Sequence, residues 1–129
     1  MKKKILVVDD NPDLIFILQV QLKNKGYDTV QATNGMQAVD IATAQLPDLI
    51  VMDIMMPQMN GLQAARLIRQ NPKTRSIPIL AATAKITIAD KEECFQSGCN
   101  DHIDKPFTTK ELVSRIEKLM KSSEKQPTV

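Results

Sequence analysis

Five short strand-like runs, some wholly apolar and others alternating or brief, each followed by a stretch of helical periodicity, alternate through this chain of 129 residues. The alternation restricts the fold more than any other feature. The runs extend from Lys4 to Val8, Tyr27 to Ala32, Asp48 to Met52, Ile77 to Ala82 and Asp101 to Asp104. Strands separated by helices cannot pair as hairpins, so they lie parallel, joined by right-handed crossovers with helices on both faces. The central run, Leu49-Ile50-Val51-Met52, has no polar residue, as a strand covered on both sides requires.

The helices are marked at their ends. Asn11 with Pro12 supplies a cap and first turn, Leu14, Ile15, Leu18 and Leu22 follow at helical spacing, and Gly26 is the stop. Asn34-Gly35 opens a second helix carrying Met36, Val39, Ala42 and Leu46, which Pro47 closes. A third runs from Gly61, presents Leu62, Ala65 and Ile68, and stops near Asn71-Pro72. The fourth, Thr87 to Ser97, has Ile88, Cys94 and Phe95 to bury. Thr108 and Glu111 have capping-box spacing, and Leu112, Val113, Ile116, Leu119 and Met120 give the fifth helix its apolar face. Ser122 to Val129 is polar and reads as a flexible tail, leaving residues 1–121 as one domain. Met36, Met52 and Met120 are expected in the core.

Charged residues at 25%, hydrophobic ones at 43% and a net charge of +2 fit an ordinary globular domain. With no Trp, one Tyr and scattered positive charge, nucleic acid is not an expected direct partner. No apolar run spans a membrane, and Ile5-Leu6-Val7-Val8 ends too soon at Asp9-Asp10 to be a secretory signal. Cys94 and Cys99 have the spacing of neither a zinc knuckle nor a redox pair, so reduced thiols and a cytoplasmic location are expected.

Ligands of parallel sheets bind outside the carboxyl ends of the strands. Asp9 and Asp10 end the first run, Asp53 the third, Thr83 the fourth and Lys105 the fifth. A lone Asp at a strand end is ordinarily a solvated surface group, and Asp53 is expected to be exposed; the convergence of four segments is what marks a site. Three carboxylates there repel by roughly 3 kcal/mol per pair at about 5 Å if the effective dielectric constant is near 20. Lys105 offsets one charge, and a divalent cation with oxygen ligands would offset the rest. Magnesium suits carboxylates that share a phosphoryl oxygen, whereas the absence of His and Cys from the cluster disfavours zinc. Between such a cation and an ammonium, Asp53 can act as a nucleophile toward a phosphoryl donor. The Thr83 hydroxyl can move onto the new oxygens and turn a local charge change into a shape change.

From Lys4 to about Met120 these residues resemble the receiver domains of two-component response regulators. The acidic pair Asp9-Asp10, the D-x-x-M-P-x-x-x-G pattern of Asp53, Met56, Pro57 and Gly61, the Thr83-Ala84 pair and the Lys105-Pro106-Phe107 triplet occur in order. The resemblance implies a doubly wound, flavodoxin-like (βα)5 α/β fold with strand order 2-1-3-4-5. It implies that Asp53 accepts a phosphoryl group from a histidine kinase or histidine phosphotransfer protein. Asp10, Asp53 and the Met55 backbone carbonyl would hold magnesium, Asp9 acting largely through water. Lys105 would contact the phosphoryl oxygens, and the Lys105-Pro106 bond would be cis. Catalysis would be limited to the chain's own phosphorylation and dephosphorylation. A downstream target protein would read the surface of the fourth helix, fifth strand and fifth helix. The text is similar to single-domain regulators of the cell-cycle type and to receivers of hybrid kinases; the initial Met and polar tail lead us to expect a complete chain.

Three positions depart from or tune that pattern. His102 stands where the family usually has Tyr or Phe as a rotameric switch. Met55 and Lys85 hold the positions that set phosphoryl lifetime, and a bulky Met55 is expected to shield the site. Among other classes, a flavodoxin-type cofactor binder would need Gly, Ser or Thr after the first strand, where this chain has two acids. Phosphatases with an aspartate nucleophile resemble it in chemistry but carry that group on the first strand in a D-x-D arrangement. The remaining alternative is a receiver-shaped interaction module that is never phosphorylated.

Overall fold

Strands and helices alternate as expected in the computed structural model, which describes residues 2–54, 60–83 and 88–125. They are β1 (Lys4–Val8), α1 (Pro12–Asn24), β2 (Asp28–Ala32), α2 (Gly35–Gln45), β3 (Leu49–Asp53), α3 (Gly61–Gln70), β4 (Ile79–Thr83), α4 (Ile88–Ser97), β5 (Asp101–Asp104) and α5 (Thr109–Lys125). The five strands form one parallel sheet in the order β2-β1-β3-β4-β5. The register aligns the strand ends: Val8 pairs with both Ala32 and Met52, Asp53 with Ala82, and Thr83 with Asp104.

Alternation along each strand divides the core in two, because successive side chains point to opposite faces. Leu6, Val8, Ile50, Met52, Ile79 and Ala81 meet the small buried residues Ala38 and Ala42 of α2 and Ala64, Ala65 and Ile68 of α3. Ile5, Val7, Leu49, Val51, Leu80, Ala82 and Ile103 meet Ile15, Leu18 and Leu22 of α1 and Leu112 and Ile116 of α5. Three helices begin at asparagine caps. Asn11 accepts from the Asp13 and Leu14 N–H groups, Asn34 from Gln37, and Asn60 from Gln63, whose side chain returns the bond. Each such cap is worth about 1 kcal/mol.

Several boundaries and burials differ from the sequence reading. The strand β4 starts at Ile79, because Pro78 has no N–H to give the ladder; its carbonyl accepts from Ile50 N–H at 2.9 Å. Met36 and Phe95 are exposed rather than in the core, since the alanines of α2 and Cys94 of α4 face the sheet. Leu46 is exposed too; it adopts φ 47° as the C-cap of α2, which turns it off the helical face. The helix α5 continues to Lys125, four residues into the stretch expected to be tail, because no breaker precedes Pro127. Residues 126–129 lie outside the described residues. No helix among the described residues is long and apolar enough to cross a membrane.

Candidate functional site

The carboxyl ends of β1, β3, β4 and β5 bring Asp9, Asp10, Asp53, Thr83 and Lys105 to one edge of the sheet, as the sequence places them. One carboxylate oxygen each from Asp9, Asp10 and Asp53 lies within 4.8 Å of the others. The Lys105 ammonium donates to Asp9 Oδ2 at 2.9 Å and stands 3.6 Å from Asp53 Oδ2. Among the described residues, one positive charge therefore faces three negative ones. The candidate metal ligands of this cluster are all carboxylate oxygens, the set that a hard divalent cation such as magnesium takes.

The three acids are not equivalent. Asp9 is 3% exposed and also accepts from the Asn11 N–H at 3.0 Å, so the cap of α1 and Lys105 hold it from two sides. Asp10 is exposed. Asp53 is the last residue of β3 and is 6% exposed, so it is buried where exposure was expected. Lys105 and the flanking strand ends close around it. Thr83, buried at the end of β4, accepts the Lys105 N–H on its carbonyl at 2.7 Å, and the Lys105-Pro106 peptide bond is cis. Met55, Met56, Pro57, Ala84 and Lys85 lie outside the described residues, and so does the expected Met55 carbonyl ligand.

Gly61 sets how closely α3 approaches the acceptor strand. Its N–H donates to Ile54 O at 3.0 Å, and a Cβ added there would meet Asp53 O at 2.5 Å and Ile54 Cα at 2.8 Å. Only glycine lets the helix start against that backbone. His102 lies on β5 with its side chain about one-fifth exposed. Its Nδ1 is buried without a hydrogen-bond partner among the described residues, 3.9 Å from Asp101 Oδ1, which Arg115 also holds at 3.1 Å.

One feature of the site escaped the sequence reading. Leu14, Ile17, Leu18 and Gln21 of α1, together with Lys105, Pro106 and Phe107, line an apolar groove of about 370 Å³ beside the acceptor. On the same helix Phe16, Ile17 and Val20 are exposed apolar residues. The signal was present, since these three residues fall off the Ile15-Leu18-Leu22 core stripe of α1.

An all-parallel sheet in this order, with an acidic cluster and a lysine at its carboxyl edge, defines a receiver fold, and the chain belongs to that family. It matches the response regulator receiver domain over residues 5–117. The alkaline phosphatase synthesis transcriptional regulatory protein PhoP of Bacillus subtilis is 38% identical over 124 residues, 96% of this chain and 51% of that protein. The DNA-binding dual master transcriptional regulator RpaA of Synechocystis is 34% identical over 96% of this chain and 52% of its own length. The chain thus spans about half the length of these curated relatives. Among solved structures, it is similar to the receiver domain of sensor histidine kinase PA1611 from Pseudomonas aeruginosa, which has magnesium coordinated in its active site cleft. The identity is 36% and the TM-score 0.86, covering 94% of this chain and 99% of that one.

Proposed function

We propose that this receiver domain accepts a phosphoryl group on Asp53 from a phosphohistidine of a histidine kinase or phosphotransfer protein, and thereby changes which partner it binds. The observation that carries this reading is the buried Asp53 carboxylate, 3.6 Å from the Lys105 ammonium and within 4.8 Å of two more acids. In the transfer an Asp53 oxygen forms a bond to phosphorus as the bond to the donor imidazole nitrogen breaks. Lys105, already at the carboxylate, is placed to neutralise the phosphoryl oxygens. Asp10 and Asp53, with Asp9 behind them, would hold a magnesium ion, which when bound shields the incoming oxygens from the three carboxylates. The PA1611 receiver with its coordinated magnesium supports that assignment. The apolar groove between α1 and Phe107 gives a donor protein a seat beside Lys105.

Thr83 and His102 form the proposed switch. The Thr83 hydroxyl moves toward the phosphoryl group, and His102 turns into the space released. The α4-β5-α5 surface then presents a different face to a downstream target. Curated relatives are named as DNA-binding regulators; in this chain the described residues form the receiver unit alone, and we assign them no direct contact with nucleic acid.

Intact mass after incubation with acetyl phosphate, with and without magnesium, tests the reading. Wild type gains one phosphoryl group only with magnesium, and Asp53→Asn gains none. The same samples report the switch, because the His102 imidazole resonances shift in phosphorylated wild type and stay fixed in Asp53→Asn. No adduct under any condition leaves the non-phosphorylated interaction module as the better account.

A further inference from the structure

At the opposite pole of the sheet from Asp53, one guanidinium joins four segments. Arg69, in the last turn of α3, donates from Nε to Gly98 O at 2.9 Å, from Nη1 to Arg75 O at 2.8 Å and Ile77 O at 2.7 Å, and from Nη2 to Asn100 Oδ1 at 2.6 Å. The same Asn100 oxygen accepts from Ile79 N–H at 2.8 Å, where β4 begins. These acceptors are neutral carbonyl dipoles fixed by the backbone. A planar fork with five N–H donors makes all four of these bonds from fixed directions, one more than the three N–H groups of an ammonium could supply.

The end of α4 is closed over this cation. Cys99 N–H donates to Cys94 O at 3.0 Å and Gly98 N–H to Phe95 O at 3.1 Å, with Gly98 at φ +110°. This pairing ends a helix on a left-handed glycine and brings together the residues joined by its outer hydrogen bond, here the buried Cys94 and Cys99. The Arg69 stem lies directly on the glycine: a Cβ at Gly98 would meet Arg69 Cγ at 2.5 Å. The C-terminal end of α4 is thus bonded to α3 and to the start of β4. Its other end begins at Ile88, five residues beyond Thr83.

We propose that Arg69 is the fixed pivot of α4. Resting on the phosphoacceptor reading above, the proposal is that phosphorylation displaces α4 from its Thr83 end while the Gly98 end stays bound. A helix of ten residues is a rod of about 15 Å, so pinning one end makes the displacement grow toward the other. The change in the output surface is then concentrated next to the switch.

Amide hydrogen exchange by NMR, on wild type and Arg69→Met before and after acetyl phosphate and magnesium, tests this, with intact mass recording the adduct. In wild type, phosphorylation changes exchange several-fold in the first turns of α4 and leaves Ile79, Gly98 and Cys99 unaltered. Arg69→Met takes up the same single phosphoryl group. Its Ile79, Gly98 and Cys99 amides exchange at least tenfold faster even without donor, and phosphorylation changes now reach them. If Arg69→Met does not fold, Arg69→Lys, which reaches fewer acceptors, serves for the same comparison. Phosphorylated wild type whose Gly98 end changes as much as the Ile88 end overturns the pivot. A variant that exchanges like wild type overturns the anchor itself. Absence of any adduct refutes the phosphoacceptor reading and the pivot together, while the comparison without donor still decides the anchor.

Discussion

Asp9 and Asp10 are adjacent in sequence and have opposite surroundings, which shows where residue-level reading stops. Their type and position at a strand end were legible. Which one would be buried was not, because that depends on Lys105, 96 residues away, and on the Asn11 N–H. Gly61 has the same character. Its place in the Asp53-Met56-Pro57 pattern was visible, but its physical reason is contact with the Asp53 backbone. A Cβ at 2.5 Å from a carbonyl oxygen cannot be relieved by rotating a side chain, so Gly61→Ala must move α3 or β3. We expect it to cost about 1–3 kcal/mol, typical of overpacking against fixed atoms, read as a lowered urea midpoint. It should also reduce the rate of Asp53 phosphorylation by acetyl phosphate, because the displaced backbone carries the acceptor. A stable variant phosphorylated at the wild-type rate would show that the close approach is dispensable.

Elements were easier to read than single contacts. Short strand-like runs, Asn caps at positions 11, 34 and 60 and the Gly98 stop are local signals, and each element formed within a few residues of its expected bounds. The errors arose where another element decided the outcome. Phe95 points outward because Cys94 takes the core side of α4, and Arg69 was passed over because its acceptors, mostly backbone carbonyls, leave no side-chain pattern in the sequence. The end of α4 also carries a pH effect. Burial, with a smaller contribution from Cys94, pushes the Cys99 thiol from its ordinary value near 9 up to about 12, and Arg69 opposes the rise only partly. Between those values the unfolded chain has released the proton and the folded one has kept it. The contribution is therefore full below pH 9 and is lost as pH rises toward 12, at about 1.4 kcal/mol per unit. Lysines titrate in the same range, so the difference between wild type and Cys99→Ala isolates the thiol. Urea unfolding should show wild type losing stability faster than the variant above pH 9, with parallel curves below it. Parallel curves throughout would mean that the thiol ionises as readily in the fold as in the unfolded chain.

At the scale of the whole molecule the sheet separates two tasks between its edges. The amino-terminal edge is tied by Arg69 and Asn100. Among the described residues, the carboxyl edge gathers three carboxylates around one ammonium, an arrangement that opposes folding unless a cation joins it. A site kept for function at the expense of stability makes a prediction about the entire fold. In EDTA, Asp10→Asn should melt higher than wild type, by a few degrees or about 0.5–2 kcal/mol, because it removes a repelling charge and Asp10 is exposed enough to leave no cavity. Magnesium should reverse the order. Binding only to the fold, it stabilises wild type by about 2.7 kcal/mol at a concentration one hundred times its dissociation constant, and it should stabilise Asp10→Asn far less. Thermal denaturation across a magnesium titration measures both arms. If Asp10→Asn melted lower than wild type in EDTA, the cluster would be held by attractions stronger than its repulsion. If magnesium raised both proteins equally, the ion would bind elsewhere, and the acidic edge would have to work without it.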